Sequence, residues 1–132
     1  MFHVHEWWYK TASKSLPEVP DREREETLKN AAVIFFHSEA EDEADRERVF
    51  QKFVKNTKWI AGKFSTKSVV LHSFNHLSSS KSSPEFAEAL LEKVKERLQR
   101  TGYEIMLTPF GYFNEFKMHV AGDSLAKVFK EF

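Results

Sequence analysis

The stretch AAVIFFHS, residues 31–38, decides the fold of this chain. Its first six residues are all apolar, so it lacks the alternation of apolar and polar side chains that marks a strand with one face in water. A short continuous apolar run is typical of a strand that is buried on both faces. We therefore predict a central, doubly buried strand at residues 31–38.

Two amphipathic helices are predicted after this strand. Residues 44–64 place their apolar side chains on one side and their lysines on the other, as in a helix that packs on a sheet. The second helix begins at Ser83-Pro84-Glu85, where a capping serine precedes a proline at the first helical position. Its apolar stripe runs from Phe86 to Leu98, and Gly102 ends it.

The remaining segments predict strands, loops and a short last helix. The predicted strands are residues 2–9, 69–73, 103–108 and 113–120, and the predicted loops are residues 15–24 and 78–83. Ser124 is predicted to cap a last helix at residues 125–131. The order is β-β-α-β-α-β-β-α, which indicates an α/β fold with a single domain, a mixed sheet covered by two main helices.

Composition excludes several classes of protein. A length of 132 residues fits one domain, and no run approaches the ~20 apolar residues of a membrane span. The start of the chain does not resemble a signal peptide. The absence of cysteine excludes disulfides and thiolate metal sites and makes an intracellular setting the default. His3 and His5 share a strand face, but no compact His/Asp/Glu signature accompanies them, so we predict no metal and no cofactor.

Charge is balanced overall but unevenly placed. The net charge is zero, which does not indicate a nucleic-acid-binding protein. Residues 39–47 are rich in Asp and Glu, whereas residues 49–67 carry five lysines and no acid. Acidic residues near the start of a helix and basic residues toward its end suit the dipole of the predicted first helix. The alternative is a lysine face that contacts phosphate, and both interpretations stay open.

Two loops indicate a pocket. The segment HLSSS, residues 76–80, follows a predicted strand and is almost free of bulky side chains. The segment PFGYFN, residues 109–114, is a Pro-Gly turn rich in aromatic residues. Together they are predicted to form two sides of one pocket, where function is expected.

These loops resemble a known family, the archaeal threonyl-tRNA synthetase editing domain, which is related to D-aminoacyl-tRNA deacylases. SFNHLSS at residues 73–79 is similar to the family's PFAHLSS, and TPFGYFNEFK at residues 108–117 is similar to APFGYYKAFK. GDSLA at residues 122–126 is similar to GHPLA. The resemblance covers nearly the whole chain, so it implies one editing-like domain, residues 1–132, with a D-aminoacyl-tRNA deacylase-like fold.

The resemblance also implies a function. Members of the family hydrolyse seryl-tRNA(Thr), a mischarged product, in a pocket that relies on backbone groups and on the 2′-hydroxyl of the terminal adenosine. The implied partners are the aminoacylated 3′ end of tRNA, a threonyl-tRNA synthetase and a second copy of the chain in a homodimer. The implied setting is the cytoplasm, with no cofactor and no membrane. We expect a stand-alone homologue that acts in trans.

Three side chains match the positions implicated in the family's catalysis. The family's histidine is kept as His76, its lysine position is Asn114, and its glutamate position is Lys127. Asn114 can hold a water but brings no charge, and the loss of one such stabilising interaction typically costs ~10²–10³ in rate. Lys127, from the last helix, either restores this charge near Asn114 or is merely solvated. His76 either positions the substrate or ties its loop through hydrogen bonds.

The candidate substrate-binding residues lie on both loops and on the first strand. Tyr112 is predicted to stack on the adenine, whereas core packing is the favoured role for Phe113. His5 is predicted on the pocket floor, and Ser78 as a hydrogen-bonding group. The remaining candidates are Pro109, Phe110 and Gly111. Two alternatives to an enzyme stay open: a catalytically impaired paralogue that binds aminoacyl-tRNA or a synthetase, and a dimerisation scaffold with an unrelated pocket.

Overall fold

The computed structural model describes all 132 residues and has the predicted α/β architecture. Two helices, α1 (Arg46–Lys63) and α2 (Pro84–Arg100), pack on a five-stranded sheet. The strands are β1 (Phe2–Lys14), β2 (Glu25–Phe36), β3 (Ser68–Ser73), β4 (Glu104–Leu107) and β5 (Tyr112–Val120). Their order is β4-β3-β2-β1-β5, with β2, β3 and β4 parallel and β1 antiparallel to both of its neighbours. The mixed sheet is therefore confirmed. No helix of the chain has both the length and the apolar character that crossing a bilayer requires.

One face of the sheet carries both helices. Alternate side chains of β2 and β3 point to this face, including Ile34, Phe36 and Leu71, and they pack against buried residues of α1 and α2. The predicted start of α2 is confirmed, because the Ser83 hydroxyl accepts a hydrogen bond from the backbone N–H of Phe86 at 3.2 Å. This helix-covered cluster of 16 buried residues is the main core.

The other face has no helix, yet Trp7 and Tyr9 are fully buried there. The ring of Phe116 on β5 lies 5.2 Å from His72 on β3 and 5.3 Å from Phe35 on β2, measured between centroids. In a flat sheet β5 and β3 would be three strand spacings apart, roughly 14 Å. The sheet therefore curls, and its β1–β5 edge covers the face of β2 and β3.

The bend lies at the level of His5. The β1–β5 register shifts between Val4 and Glu6, as at a β-bulge, and Asn30 on β2 adopts a left-handed conformation with φ of 50°. A bulge bends its strand and increases the local twist. The Asn30 side chain is tied to His3 Nε2 at 2.9 Å, which fixes the bend.

Several element boundaries differ from the sequence prediction. β2 begins at Glu25 rather than at residue 31, because its polar first half pairs with β1 through opposite charges such as Lys10 and Glu25. The predicted helix 44–64 forms as α1 and begins two residues later, at Arg46, after a separate 3₁₀ turn, Ala40–Ala44.

The predicted last helix is wrong. Only a 3₁₀ turn forms at Ser124–Ala126, and Asp123 caps it instead of Ser124. Lys127 forms a β-bridge with Phe2, and the Val128 N–H donates to the Met1 carbonyl at 2.9 Å. Pairing with the start of β1 therefore replaces the helical hydrogen bonds of this segment.

Gly111 joins β5 to the loop that follows β1. Its φ of +81° favours glycine, and a Cβ there would lie 2.5 Å from Val19 Cγ1. Its carbonyl accepts hydrogen bonds from the N–H groups of Ser15 at 2.7 Å and Leu16 at 3.2 Å. The Pro-Gly turn is thus packed closely against the loop that follows β1.

His72 makes stability depend on pH. Burial lowers its pKa from 6.5 to about 4, so between these values the unfolded chain binds a proton that the folded chain does not. The free energy of unfolding should therefore fall as pH falls through this window, by up to ~3 kcal/mol from this group. Urea denaturation of the wild type and of His72→Gln, from pH 7 to pH 4.5, measures this. If the free energy of unfolding depends on pH equally in both proteins, His72 is not the group responsible.

Three glycines form a graded test of the Gly111 junction. Gly111→Ala should lower the free energy of unfolding by about 2–4 kcal/mol, from the positive φ and the contact with Val19. Gly102→Ala has a positive φ but open space around a Cβ, and should cost about 1–2 kcal/mol. Gly62→Ala, in α1, should be neutral or stabilise by up to ~1 kcal/mol. Chemical denaturation gives the free energy of unfolding of each variant. If Gly111→Ala destabilises the protein no more than Gly102→Ala does, the steric contribution of Val19 is refuted.

Candidate functional site

A cleft of about 650 Å³ opens at the carboxyl ends of β2 and β3. In sheets with parallel strands this end is the usual ligand-binding edge, and the volume is in the range of small-molecule sites. Its walls are the end of β2, one side of α1, the loop after β3 and the segment 127–132. Of its 23 lining residues 13 are apolar, so the cleft offers apolar walls with a few polar groups.

The polar groups of the cleft include side chains of the acidic turn after β2 and of the serine-rich loop after β3. Glu39, Asp42, Ser38 and Ser78 all line the cleft. Burial raises the pKa of Asp42 above its usual value, and the nearby charges of Glu39 and Glu41 add to this effect. Glu39 and Asp42 line the cleft together with Lys127 and Lys130, so the cleft carries charged groups of both signs.

The acidic turn also holds the serine-rich loop. The Ser78 hydroxyl donates to Glu39 Oε2 at 3.0 Å, and the Ser80 hydroxyl donates to Glu41 Oε2 at 3.3 Å. Glu43 accepts from the N–H of Ser83 at 3.1 Å. Sequence reasoning missed this network, because the partners lie some forty residues apart and each alone is a common surface residue. The acidic block is thus a scaffold for the loop, beyond any effect on the helix dipole.

His76 lies at the rim of the cleft. Its side chain is exposed, makes no hydrogen bond, and packs edge-on against Phe74 with centroids 5.0 Å apart. Phe74 and Leu77, on either side of it, both line the cleft. The serines hold the loop, so the hydrogen-bonding role considered for His76 is not needed, and its ring is free to meet a ligand.

Lys127 lines the same cleft from its other side. It lies in the extended segment that pairs with Phe2, and its Nζ donates to the Ala121 carbonyl at 3.0 Å. Its ammonium group is therefore held by the backbone carbonyl of a residue that does not itself line the cleft.

Asn114 lies away from this cleft, near the start of β5, whereas Lys127 lies beyond the end of that strand. Its Nδ2 makes a long hydrogen bond of 3.4 Å to the Tyr112 carbonyl, and its buried Oδ1 has no protein partner. A buried acceptor of this kind is normally satisfied by water or a ligand. Within one chain, the structure does not bring Asn114 and Lys127 together.

The other residues of the second loop also lie outside the cleft. Pro109 and Gly111 are buried, and Phe110 packs against the helix-covered core. The Tyr112 hydroxyl donates to the Pro20 carbonyl, and Tyr112 lines a second, polar cavity of about 600 Å³ near the end of β1 and the start of β2. Phe113 is 62% exposed, so core packing, its favoured role from sequence, is wrong.

His5 is exposed on the β1–β5 edge and does not line the cleft. Its ring lies 4.7 Å from that of His119 and 6.1 Å from that of His3, between centroids. No group of three or more His, Asp or Glu residues in the chain is arranged to hold a metal ion. This histidine row therefore belongs to the bend of the sheet rather than to the cleft.

Comparison with known proteins identifies the family. The whole chain, residues 1–132, matches the family described as the archaea-specific editing domain of threonyl-tRNA synthetase. The threonine–tRNA ligase of Thermococcus gammatolerans is 32% identical over 131 residues, which cover 97% of this chain and 21% of the ligase. That of Methanosphaera stadtmanae is 29% identical over 130 residues, again 97% of this chain and 21% of the ligase. The chain spans about a fifth of the length of these relatives. It belongs to the archaea-specific editing domains of threonyl-tRNA synthetase.

Proposed function

We propose that this domain hydrolyses the ester bond of mischarged tRNA, with seryl-tRNA(Thr) as the preferred substrate. The observation that carries the proposal is the family match over the whole chain. The proposal includes action in trans on tRNA charged by a threonyl-tRNA synthetase, in the cytoplasm. It involves no cofactor.

The cleft supports this proposal by its chemistry. An aminoacyl ester carries an ammonium group, and the carboxylates of Glu39 and Asp42 at the cleft attract a cation. Apolar walls such as Phe36 and Phe53 suit the terminal adenosine. The cleft thus combines a site for the amino acid with a site for the nucleoside.

Hydrolysis requires an aligned water, stabilisation of the oxyanion and a proton for the leaving ribose hydroxyl. In our proposal water attacks the ester carbonyl, backbone amides stabilise the oxyanion, and the 2′-hydroxyl of the substrate assists proton transfer. His76 positions the substrate at the rim, and Lys127 supplies positive charge. Asn114 lies outside the cleft of its own chain, so in our proposal it holds the attacking water only where the second copy of a homodimer brings it there; its buried Oδ1, which has no protein partner, is the group that would hold this water.

The second candidate function is a binding module for aminoacyl-tRNA. The position of Asn114 favours it, because this side chain is uncharged and lies outside the cleft of its own chain. The hydrogen bond of Lys127 Nζ to the Ala121 carbonyl favours the binding module too, since it engages the lysine that occupies the family's glutamate position. A deacylation assay decides between the two functions.

The 132-residue chain should deacylate seryl-tRNA(Thr) faster than threonyl-tRNA(Thr), because the cleft must discriminate between the two amino acids for editing to be useful. Loss of radiolabelled amino acid from each tRNA, with D-aminoacyl-tRNAs as further substrates, measures this. If the protein binds tRNA tightly but turns over none of these substrates, the enzyme hypothesis is rejected in favour of the binding module.

Asn114→Lys tests the charge that the family carries at this position. If Asn114 holds the attacking water, the variant should raise the deacylation rate by up to ~10²–10³, and Lys127→Gln should lower it. Lys95→Gln is the matched control, since Lys95 is paired with Glu92 on α2. Equal rates for Asn114→Lys and the wild type would remove Asn114 from the mechanism.

The homodimer is part of the same proposal. The helix-free face carries half-buried apolar side chains, among them Met106, Met118 and Val120, that a second copy would cover. Light scattering should give twice the chain mass of 15.5 kDa, and Met118→Lys should shift this toward the monomer. His119→Lys, on the opposite face of the same strand, is the control. A wild-type monomer at micromolar concentration would contradict the dimer.

A further inference from the structure

The exposed face of α1 carries a lysine stripe, which we define as Lys52, Lys55 and Lys63 around Trp59. These positions are separated by three or four residues, so they follow one line along the helix. The three lysines are exposed, and Trp59 is 42% exposed between them. A half-exposed indole ring among cations offers a surface on which an unpaired base can stack.

The lysines of the stripe have no acidic partner. The ion pairs of the protein involve Lys14, Arg48, Lys93 and Lys95, and no member of the stripe. No acid occurs in residues 49–67. By contrast, Lys93 and Lys95 of α2 are paired with Glu47 and Glu92. The positive charge of the stripe is therefore uncompensated locally.

The helix dipole explains only part of this charge. α1 runs from residue 46 to residue 63, and only Lys63 lies in its last turn. The dipole acts on charges within the first and last turns. Lys52 and Lys55 lie in the middle of the helix, so their placement requires another reason.

The stripe leads into the cleft. Asn56 lies on the same line of the helix as Lys52 and Trp59, and it lines the cleft. Lys130 also lines the cleft, and its Nζ lies 5.9 Å above the centre of the Trp59 ring. A ligand bound on the stripe would therefore extend directly into the candidate site.

We propose that the lysine stripe binds the phosphate backbone of the single-stranded 3′ end of RNA, and that Trp59 stacks on one of its unpaired bases. This inference rests on the proposed function and adds the surface that delivers the substrate. Lysines that track a backbone and an aromatic ring that accepts any base are the elements of single-strand binding. The acidic turn, Glu39 to Glu47, repels phosphate, so the strand enters from the α1 side.

The test is binding of uncharged, labelled tRNA(Thr) and of a short single-stranded RNA ending in CCA, measured by anisotropy over a range of salt concentrations. The double variant Lys52→Gln, Lys63→Gln should weaken binding and reduce the salt slope by about 1.4, or ~0.7 for each lost phosphate contact. Trp59→Ala should weaken binding about 5- to 150-fold with an unchanged salt slope. Lys93→Gln with Lys95→Gln makes the same change in charge on α2 and should leave both quantities unchanged.

Stripe variants that bind RNA as the control does would overturn the inference. An acidic polypeptide, polyglutamate, that binds the stripe as tightly as RNA would overturn it too. Because neither RNA carries an amino acid, the binding result does not depend on hydrolysis. If the stripe binds RNA but the protein does not deacylate any substrate, only the proposed hydrolysis is refuted. If the stripe variants deacylate as fast as the wild type, only the RNA-binding role of the stripe is refuted.

Discussion

The packing of Phe116 against His72 and Phe35 is the interaction on which the rest of the molecule depends. It closes the β1–β5 edge over a sheet face that has no helices, and so it buries Trp7 and Tyr9 without a third layer. Burying two such aromatic side chains contributes several kcal/mol. Both helices lie on the opposite face of the sheet, where α1 forms a wall of the cleft.

The cleft itself depends on a second, polar arrangement. Glutamates of the turn after β2 accept hydrogen bonds from serines of the loop after β3, and they fix that loop without any bulky side chain. A loop of small residues leaves space at the carboxyl ends of the parallel strands, where a ligand can approach the backbone. The exposed ring of His76 then stands at the rim of a preformed space.

The sequence predicted those elements of the fold that local patterns of residues encode. The apolar run 31–36, the Ser83 cap and the amphipathic stripes of α1 and α2 all correspond to elements of the structure. The polar half of β2 and the missing last helix escaped prediction, because cross-strand pairing with β1 decides both. The two loops were expected in one pocket, and only tertiary structure shows that the second loop ends beside the end of β1, whereas the cleft lies at the carboxyl end of β2.

The position of β1 between β2 and β5 has a consequence for folding. β1 pairs with β2 early in the chain, but its other edge pairs Val4 with Val120, near the opposite end. Contacts between such distant residues close large loops and form slowly. During synthesis one edge of β1 therefore remains unpaired until nearly the whole domain has been made, which is the stage at which strand edges associate wrongly. The charged residues Lys10 and Glu6 on β1 then protect this edge of the nascent chain until β5 covers it.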